Sequence, residues 1–241
     1  RAPARPHLGG RRTRGPPTRG RRGAAGPGVP TRRLAQTRPR GVASTATALN
    51  QPMMDQAVAV GTSRPVEWRQ ADAMKLPFAD GAFDAVVCQF GAMFFPDKPK
   101  AFSEARRVLR PGGVFIFNVW ASMEHNEFAD TVTQALEALF PANPPRFMAR
   151  IPHGYHDPAT IAQDLARGGF ERAFELSTVA ERSRAISPRI PAVAYCQGTP
   201  LRGEIEAHGP ASLNEATDIA TAALTSRFGA GPVDGLIQAH V

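Results

Sequence analysis

Residues 72–113, DAMKLPFADGAFDAVVCQFGAMFFPDKPKAFSEARRVLRPGG, constrain what this chain can fold into more than any other stretch. Leu76-Pro77-Phe78 and Ala79-Asp80-Gly81 are loop and turn chemistry, Asp-Gly being a turn dipeptide. Residues 83–88 (FDAVVC) form a compact apolar run, which fits a parallel strand covered on both faces. Asp97 is placed to cap a helix whose Ala101, Phe102, Ala105, Val108 and Leu109 make one stripe at helical spacing. Pro111-Gly112-Gly113 is a helix stop, and residues 114–119 (VFIFNV) read as the next buried strand. Strand, helix and strand at these lengths predict a βαβ crossover and therefore a parallel sheet.

Upstream, residues 43–49 are small and weakly β-prone. Asn50 is placed to cap a helix with Pro52 in its first turn, where a missing N–H costs nothing. That helix ends at Gly61, and residues 66–69 (VEWR) read as a short strand. Downstream, residues 125–140 are helical in period, with Phe128, Val132, Leu136 and Leu139 aligned. Asp157-Pro158 opens another helix with Ile161 and Leu165 inward. Residues 170–179 read as a strand and residues 188–197 as a helix. Ser212 with Glu215 has the spacing of a capping box. The expected architecture is α/β, a Rossmann-like three-layer sandwich around a mostly parallel sheet.

The chain has 241 residues and a formal net charge of +8, but that charge is uneven. Residues 1–40 hold 12 Arg and no acid, leaving 17 basic and 21 acidic residues after them. The body is therefore mildly acidic and gives no reason to expect nucleic acid as a partner, except through the basic tail. Residues 1–42 are rich in Arg, Pro and Gly with no hydrophobic period, the composition of a disordered segment. Three readings of it compete: a basic arm for RNA, an organelle transit peptide, or an out-of-frame reading of a GC-rich gene. The last is adopted here, because Arg, Pro, Gly and Ala share GC-rich codons and because a motif expected in this region is missing. On this division, residues 43–241 form one domain truncated at its amino end. No run is long enough to span a bilayer, and no secretory signal is expected. Cys88 and Cys196 make neither a disulfide framework nor a metal site and suit a reducing, cytoplasmic setting.

In an open α/β sheet, ligands bind beyond the carboxyl ends of the strands. Three candidate contacts fall there: Ala48-Leu49-Asn50, Asp72-Ala73, and Cys88-Gln89-Phe90-Gly91. Asp72 can accept from the exocyclic amine of a base, and the backbone N–H of Ala73 can face a ring nitrogen. Leu49 and Phe90 can flank an adenine plane. The plainer alternative makes Asp72 a solvated loop acid and Gln89 a loop amide, and spacing alone does not separate the two.

The motifs LNQPMMDQA, RQADAMKLPFADGAFDAVVCQFGAMFFPD and RRVLRPGG together resemble the class I S-adenosylmethionine-dependent methyltransferases. They are most similar to the ubiquinone/menaquinone C-methyltransferase group. The resemblance is good over residues 49–119, and IPHGYHDPATI and QGTPLR resemble the carboxyl-terminal half of the same group. It implies S-adenosyl-L-methionine as cofactor and a small-molecule methyl acceptor. It places Asp72 on the adenine amine, Ala73 as the backbone contact, Leu49 on the adenine plane, and Gln89 beside the methionine moiety or the acceptor.

Two departures stand out. The family's first strand, followed by an acidic residue and Gly-x-Gly, has no evident counterpart here, so the first strand and glycine loop are expected to be missing. The family's ribose-binding acid at the end of the second strand is replaced by Ala48. Together they predict weakened cofactor binding. No catalytic residue is evident; His156 is the candidate general base, against a loop histidine beside a helix cap. Phe94 and Phe95 are read as core rather than pocket wall, Arg202 as a surface turn, and Cys88 as a buried, inert thiol. The alternatives to a methyltransferase are a non-catalytic binding protein with a basic RNA arm, and a nicotinamide-dependent oxidoreductase. The oxidoreductase lacks its Gly-x-Gly-x-x-Gly turn and a Tyr–Lys pair.

Overall fold

The structure is a computed structural model that describes Ala24–Pro27, residues 43–209 and residues 211–241. Seven strands form one sheet: β1 (Ala24–Pro27), β2 (Ser44–Ala48), β3 (Glu67–Gln70), β4 (Phe83–Gln89), β5 (Leu109–Trp120), β6 (Thr178–Ala185) and β7 (Val233–His240). Their order is β3-β2-β1-β4-β5-β7-β6. Every pairing from β3 through β5 is parallel, whereas β7 is antiparallel to both β5 and β6. This is the Rossmann-like α/β sheet that the βαβ pattern predicts.

One expectation is corrected at once. The first strand is not missing: Ala24–Pro27 pairs with Ser44–Thr47 on one side, and Ala24 and Ala25 pair with Ala85 and Val86 on the other. A short strand flanked on both sides is held by its backbone ladder, so it needs no hydrophobic period of its own. Pro27, which has no N–H to give, stands at its last position. These four residues belong to the sheet, so the boundary at 42/43 does not hold for them. The rest of the expected disordered segment lies outside the described residues.

The helices are α1 (Gln51–Val60), α2 (Lys98–Val108), α3 (Glu127–Leu139), α4 (Pro158–Arg167), α5 (Arg189–Gly198), α6 (Leu201–Glu206) and α7 (Ser212–Phe228), with a single turn at Phe147–Arg150. The predicted caps are made: Asn50 Oδ1 accepts from Met53 N at 3.2 Å, Asp97 Oδ1 from Lys100 N at 2.9 Å, and Asp157 Oδ2 from Thr160 N at 2.8 Å. Gly61, at φ 70°, ends α1. Ser212 does not cap. Its hydroxyl lies 2.7 Å from Ile205 O and 2.6 Å from Gly209 O, so it donates backward, and Ala211 takes the cap position.

Two other boundaries differ, and one strand is new. Pro111-Gly112-Gly113 lies inside β5 rather than ending a helix, with Gly112 at φ 78° and a register shift between Phe83 and Ala85. The strand expected over residues 170–179 begins only at Thr178. β7 was not anticipated from its residues.

One face of β4 and β5 is covered by α2 and α4 through an aromatic cluster. Phe102 lies 5.6 Å from Phe115 and 5.4 Å from Phe117, and Phe115 lies 5.4 Å from Phe170. A second cluster joins α3, α5, α6 and α7 through Phe128, Val132, Leu136, Leu201 and Leu224. The topology also fixes where a ligand can sit. From β1 the chain runs outward through β2 and β3, then returns to β4 and β5 on the other side. The strand order reverses between β1 and β4, and that switch point opens a crevice at the carboxyl edge.

Candidate functional site

At one side of the crevice, β2 and β3 bring the first candidates together. Ala48 pairs with Gln70, Ala71 N donates to Ala48 O at 3.0 Å, and Gln70 Nε2 donates to Leu49 O at 2.8 Å. Ala48 is buried, whereas Leu49 is 67% exposed, a large apolar side chain at a strand end. Asp72 follows directly. Its Oδ1 accepts from Met74 N at 2.8 Å, which fixes the carboxylate, and Oδ2 has no partner among the described residues. Ala73 N–H likewise donates to no described residue, so a carboxylate oxygen and a backbone donor stand side by side.

The loop carrying them is clamped from below by α2. Leu76 N donates to Glu104 Oε2 at 2.8 Å. Arg107 donates to Leu76 O at 2.8 Å, Phe78 O at 2.8 Å and Asp80 Oδ1 at 2.7 Å, and holds Glu104 through both carboxylate oxygens. The hydrogen bond from Arg107 holds the Glu104 carboxyl below the usual carboxylate range, aided by the Leu76 N–H and opposed by burial. The same pairing raises the Arg107 guanidinium.

At the other side, β4 and β5 present Gln89 and Asn118 as register partners. Asn118 Oδ1 accepts from Phe90 N at 3.1 Å. Phe90 is the one non-glycine residue with positive φ among the described residues, at 49°. Its ring stacks on Trp120 at 3.9 Å. A bulky residue held in the left-handed region costs of order 1–3 kcal/mol and marks sites where geometry is over-determined.

The loop after the Phe147–Arg150 turn closes this side. His153 is 4% exposed, with its ring 6.2 Å from that of Trp120. Its Nδ1 lies 2.9 Å from Ala121 O, so Nδ1–H donates. Burial lowers its basicity, against the carbonyl contact, so the neutral ring is favoured. His156 does not enter the crevice wall this way: its Nδ1–H donates to His153 O at 2.7 Å and fixes the loop. Tyr155 OH donates to Asp164 Oδ2 at 3.0 Å, and Lys98 Nζ sits over the Tyr155 ring.

Of the other residues weighed from the sequence, Cys88 is fully buried and its thiol is pushed up to about 12 by that burial, which removes it as a nucleophile. Phe95 is partly buried in the core, but Phe94 is 50% exposed and faces Phe147 at 6.4 Å, contrary to the core reading. Arg202 pairs with Glu206 on the surface. Asn118, Trp120 and His153 were not selected from the sequence; Phe90 was, as a flank for an adenine plane, whereas its ring stacks on Trp120. Their role depends on strand register and on a loop contact, neither of which has a local signature.

Residues 23–117 match the family described as "Methyltransferase domain". Over this stretch the chain is similar to the methyltransferase-domain family and to the ubiquinone and menaquinone C-methyltransferases. The demethylmenaquinone methyltransferase of Thermus thermophilus is 32% identical over 138 residues, 53% of this chain and 63% of that protein. The ubiquinone/menaquinone biosynthesis C-methyltransferase of Caulobacter sp. is 36% identical over 93 residues, covering 39% of this chain and 34% of that protein. The chain therefore spans less than two thirds of these relatives.

Among solved structures, a candidate methyltransferase from an antibiotic biosynthesis pathway of Anabaena variabilis matches at TM-score 0.56 and 15% identity, over 92% of this chain and 91% of that one. The YcgJ protein of Bacillus subtilis matches at TM-score 0.52 and 15% identity, over 92% of each chain. At these identities the likeness is one of fold. The glycine loop expected to be missing falls, past Pro27, outside the described residues.

Proposed function

We propose that the chain is an S-adenosylmethionine-dependent methyltransferase acting on a small organic molecule. One observation carries the reading. Asp72 Oδ2 and Ala73 N–H lie together on one side of a switch-point crevice, and Gln89 lies on the other, all within or beside the methyltransferase-family match. The names of the relatives, a demethylmenaquinone methyltransferase and a ubiquinone/menaquinone biosynthesis C-methyltransferase, support a small-molecule acceptor.

The residues fit the cofactor in part. Asp72 and Ala73 offer the acceptor and donor that an adenine edge requires, and exposed Leu49 offers an apolar cover for the ring. Gln89 stands where the amino-acid end or the acceptor would lie. The ribose corner fits less well: the carboxylate that would take the diol is Ala48, and Asn50 Oδ1 is occupied by the α1 cap. When bound, the cofactor supplies a methyl already activated on a sulfonium. The chain's part is to align the acceptor with that methyl and to exclude water. Phe90 and Trp120 supply the dry wall. Among the described residues no helix is long and apolar enough to cross a membrane. The two free, buried cysteines support a cytoplasmic setting as part of this reading.

Calorimetric titration with S-adenosyl-L-methionine, followed by transfer of labelled methyl to a panel of hydroxylated aromatic compounds, tests the proposal. Binding in the micromolar to millimolar range with transfer is the expected result. Absence of both binding and transfer overturns it.

A further inference from the structure

The proposed reaction needs somewhere for the acceptor's proton to go, and neither the candidates Asp72 and His156 nor the neighbouring Lys98 and Tyr155 are arranged to take it. Asp72 lies at the adenine side. Lys98 is committed to Phe95 O at 3.1 Å and to the Tyr155 ring. The Tyr155 hydroxyl donates to Asp164. His156 gives its Nδ1–H to the His153 carbonyl.

His153 differs from these. Its Nδ1–H is fixed on Ala121 O, at the carboxyl edge just past β5. In a neutral imidazole that contact makes Nε2 the lone-pair nitrogen. Nε2 makes no hydrogen bond among the described residues, yet it is not one of the buried unpartnered side-chain atoms. The small exposed part of an otherwise buried ring therefore includes Nε2. The His153 ring lies 6.2 Å from that of Trp120, which stacks on the conformationally constrained Phe90 just past β4. The loop is built to hold this pose. His153 N donates to Met148 O at 3.0 Å, His153 O accepts from His156, and Gly154 lies so close to Arg150 that any Cβ there would strike the Arg150 carbonyl.

We propose that His153 is the proton acceptor of this site, taking through Nε2 the proton of the methyl acceptor's O–H or N–H group. The inference rests on the methyl-transfer reading. In the step, the acceptor's O–H or N–H bond breaks and its proton moves to Nε2. The pair released forms the new bond to the methyl carbon, and the pair of the broken methyl–sulfur bond stays on sulfur. The imidazolium formed is destabilised by burial and returns its proton to solvent after turnover. His156 is the titratable group that faces His153 electrostatically and opposes its protonation.

The test uses His153→Asn, whose side-chain N–H can still donate to Ala121 O while no group remains to accept a proton. It is compared with His156→Asn in the full chain. The expected result is a loss of about 10²–10⁴-fold in kcat, with unchanged affinity for S-adenosylhomocysteine and loss of the acid limb of the kcat–pH profile. Wild-type turnover with H153N within threefold of it, or an acid limb removed by H156N instead, overturns the proposal. A second readout does not need turnover. In the wild-type complex with S-adenosylhomocysteine, added 1-naphthol must shift the His153 Nε2 nitrogen resonance. An unmoved resonance overturns the proton-acceptor role. Failure of methyl transfer on every probe, with that shift present, counts against the methyl-transfer reading alone.

Discussion

Glu104 meets Arg107 side-on, with Nε 2.9 Å from Oε1 and Nη2 2.8 Å from Oε2. One pair thus carries the loop that holds Asp72. The remaining Arg107 donors reach Leu76 O, Phe78 O and Asp80, and Glu104 also takes Leu76 N–H. Removing the guanidinium leaves the nearly buried Glu104 carboxylate with only the Leu76 N–H, Leu76 O with only the Phe78 N–H, and Phe78 O with no donor among the described residues. Arg107→Ala is expected to cost about 2 kcal/mol of stability in urea denaturation and to weaken cofactor binding. Arg107→Lys keeps the charge but not the fork and should recover only part of both.

The same pair sets an acid dependence. Glu104 is held below its ordinary carboxylate value in the folded state, so its contribution is complete above the unfolded value of about 4.3. It is lost as the pH falls from there through the lower folded value. Urea midpoints measured from pH 6 down to pH 3 should fall along this limb in the wild type. In Arg107→Ala the Glu104 share of that fall should disappear. An unchanged limb would show that other carboxylates carry it.

In the proposed function, Ala48 marks the weakest part of the cofactor site. It is 6% exposed at the end of β2, where a carboxylate would meet a ribose diol. Ala48→Asp should destabilise the empty protein, because an unpaired acid is then buried. It should also tighten S-adenosylmethionine binding, since a charged hydrogen-bond acceptor contributes about 1.5–3 kcal/mol. Calorimetry should show a gain of about tenfold or more; a weaker complex would place the ribose elsewhere.

The legible parts of this chain are those whose cause is local. Asn50, Asp97 and Asp157 cap helices where residue type and spacing said they would, and the FDAVVC run is a strand because its apolar residues are contiguous. Asp72 and Gln89 are proposed on one further rule, that ligands gather beyond strand ends. What escaped is held from a distance. Asp234 and Gly235 give β7 little strand character, yet Asp234 pairs with Arg182 and Arg184, and Glu127 accepts Leu236 N–H. Gly235 lies beneath Phe128 where a Cβ would be 2.8 Å from the ring. β1 escaped because its partners, not its composition, make it a strand. His153 escaped because its role depends on Ala121, far away in sequence, and on a loop that only glycine at 154 permits.

Two glycines make that last point measurable. A Cβ at Gly154 would collide with backbone atoms of Ala149 and Arg150, so Gly154→Ala must move the His153 loop. A loss of about 2–4 kcal/mol is expected, within the range of strained or overpacked sites. Gly203 lies within α6 with nothing near its Cβ position. There Gly203→Ala should stabilise by about 0.5–1 kcal/mol, because the unfolded chain loses freedom. Thermal denaturation of the two variants side by side should move in opposite directions. Equal shifts would mean that the loop yields without cost.

Asp72 allows its structural and ligand roles to be separated. Oδ1 accepts Met74 N–H and shapes the turn, whereas Oδ2 has no partner among the described residues. Asp72→Asn keeps an oxygen for Met74 but replaces the outer acceptor with a donor, which an adenine amine repels. Asp72→Ala removes both. Stability should therefore change little in Asp72→Asn and fall by about 1 kcal/mol in Asp72→Ala. Cofactor affinity should fall at least tenfold in both. If Asp72→Asn binds as tightly as the wild type, Asp72 serves only its turn, and the adenine is held by Ala73 and Leu49 alone.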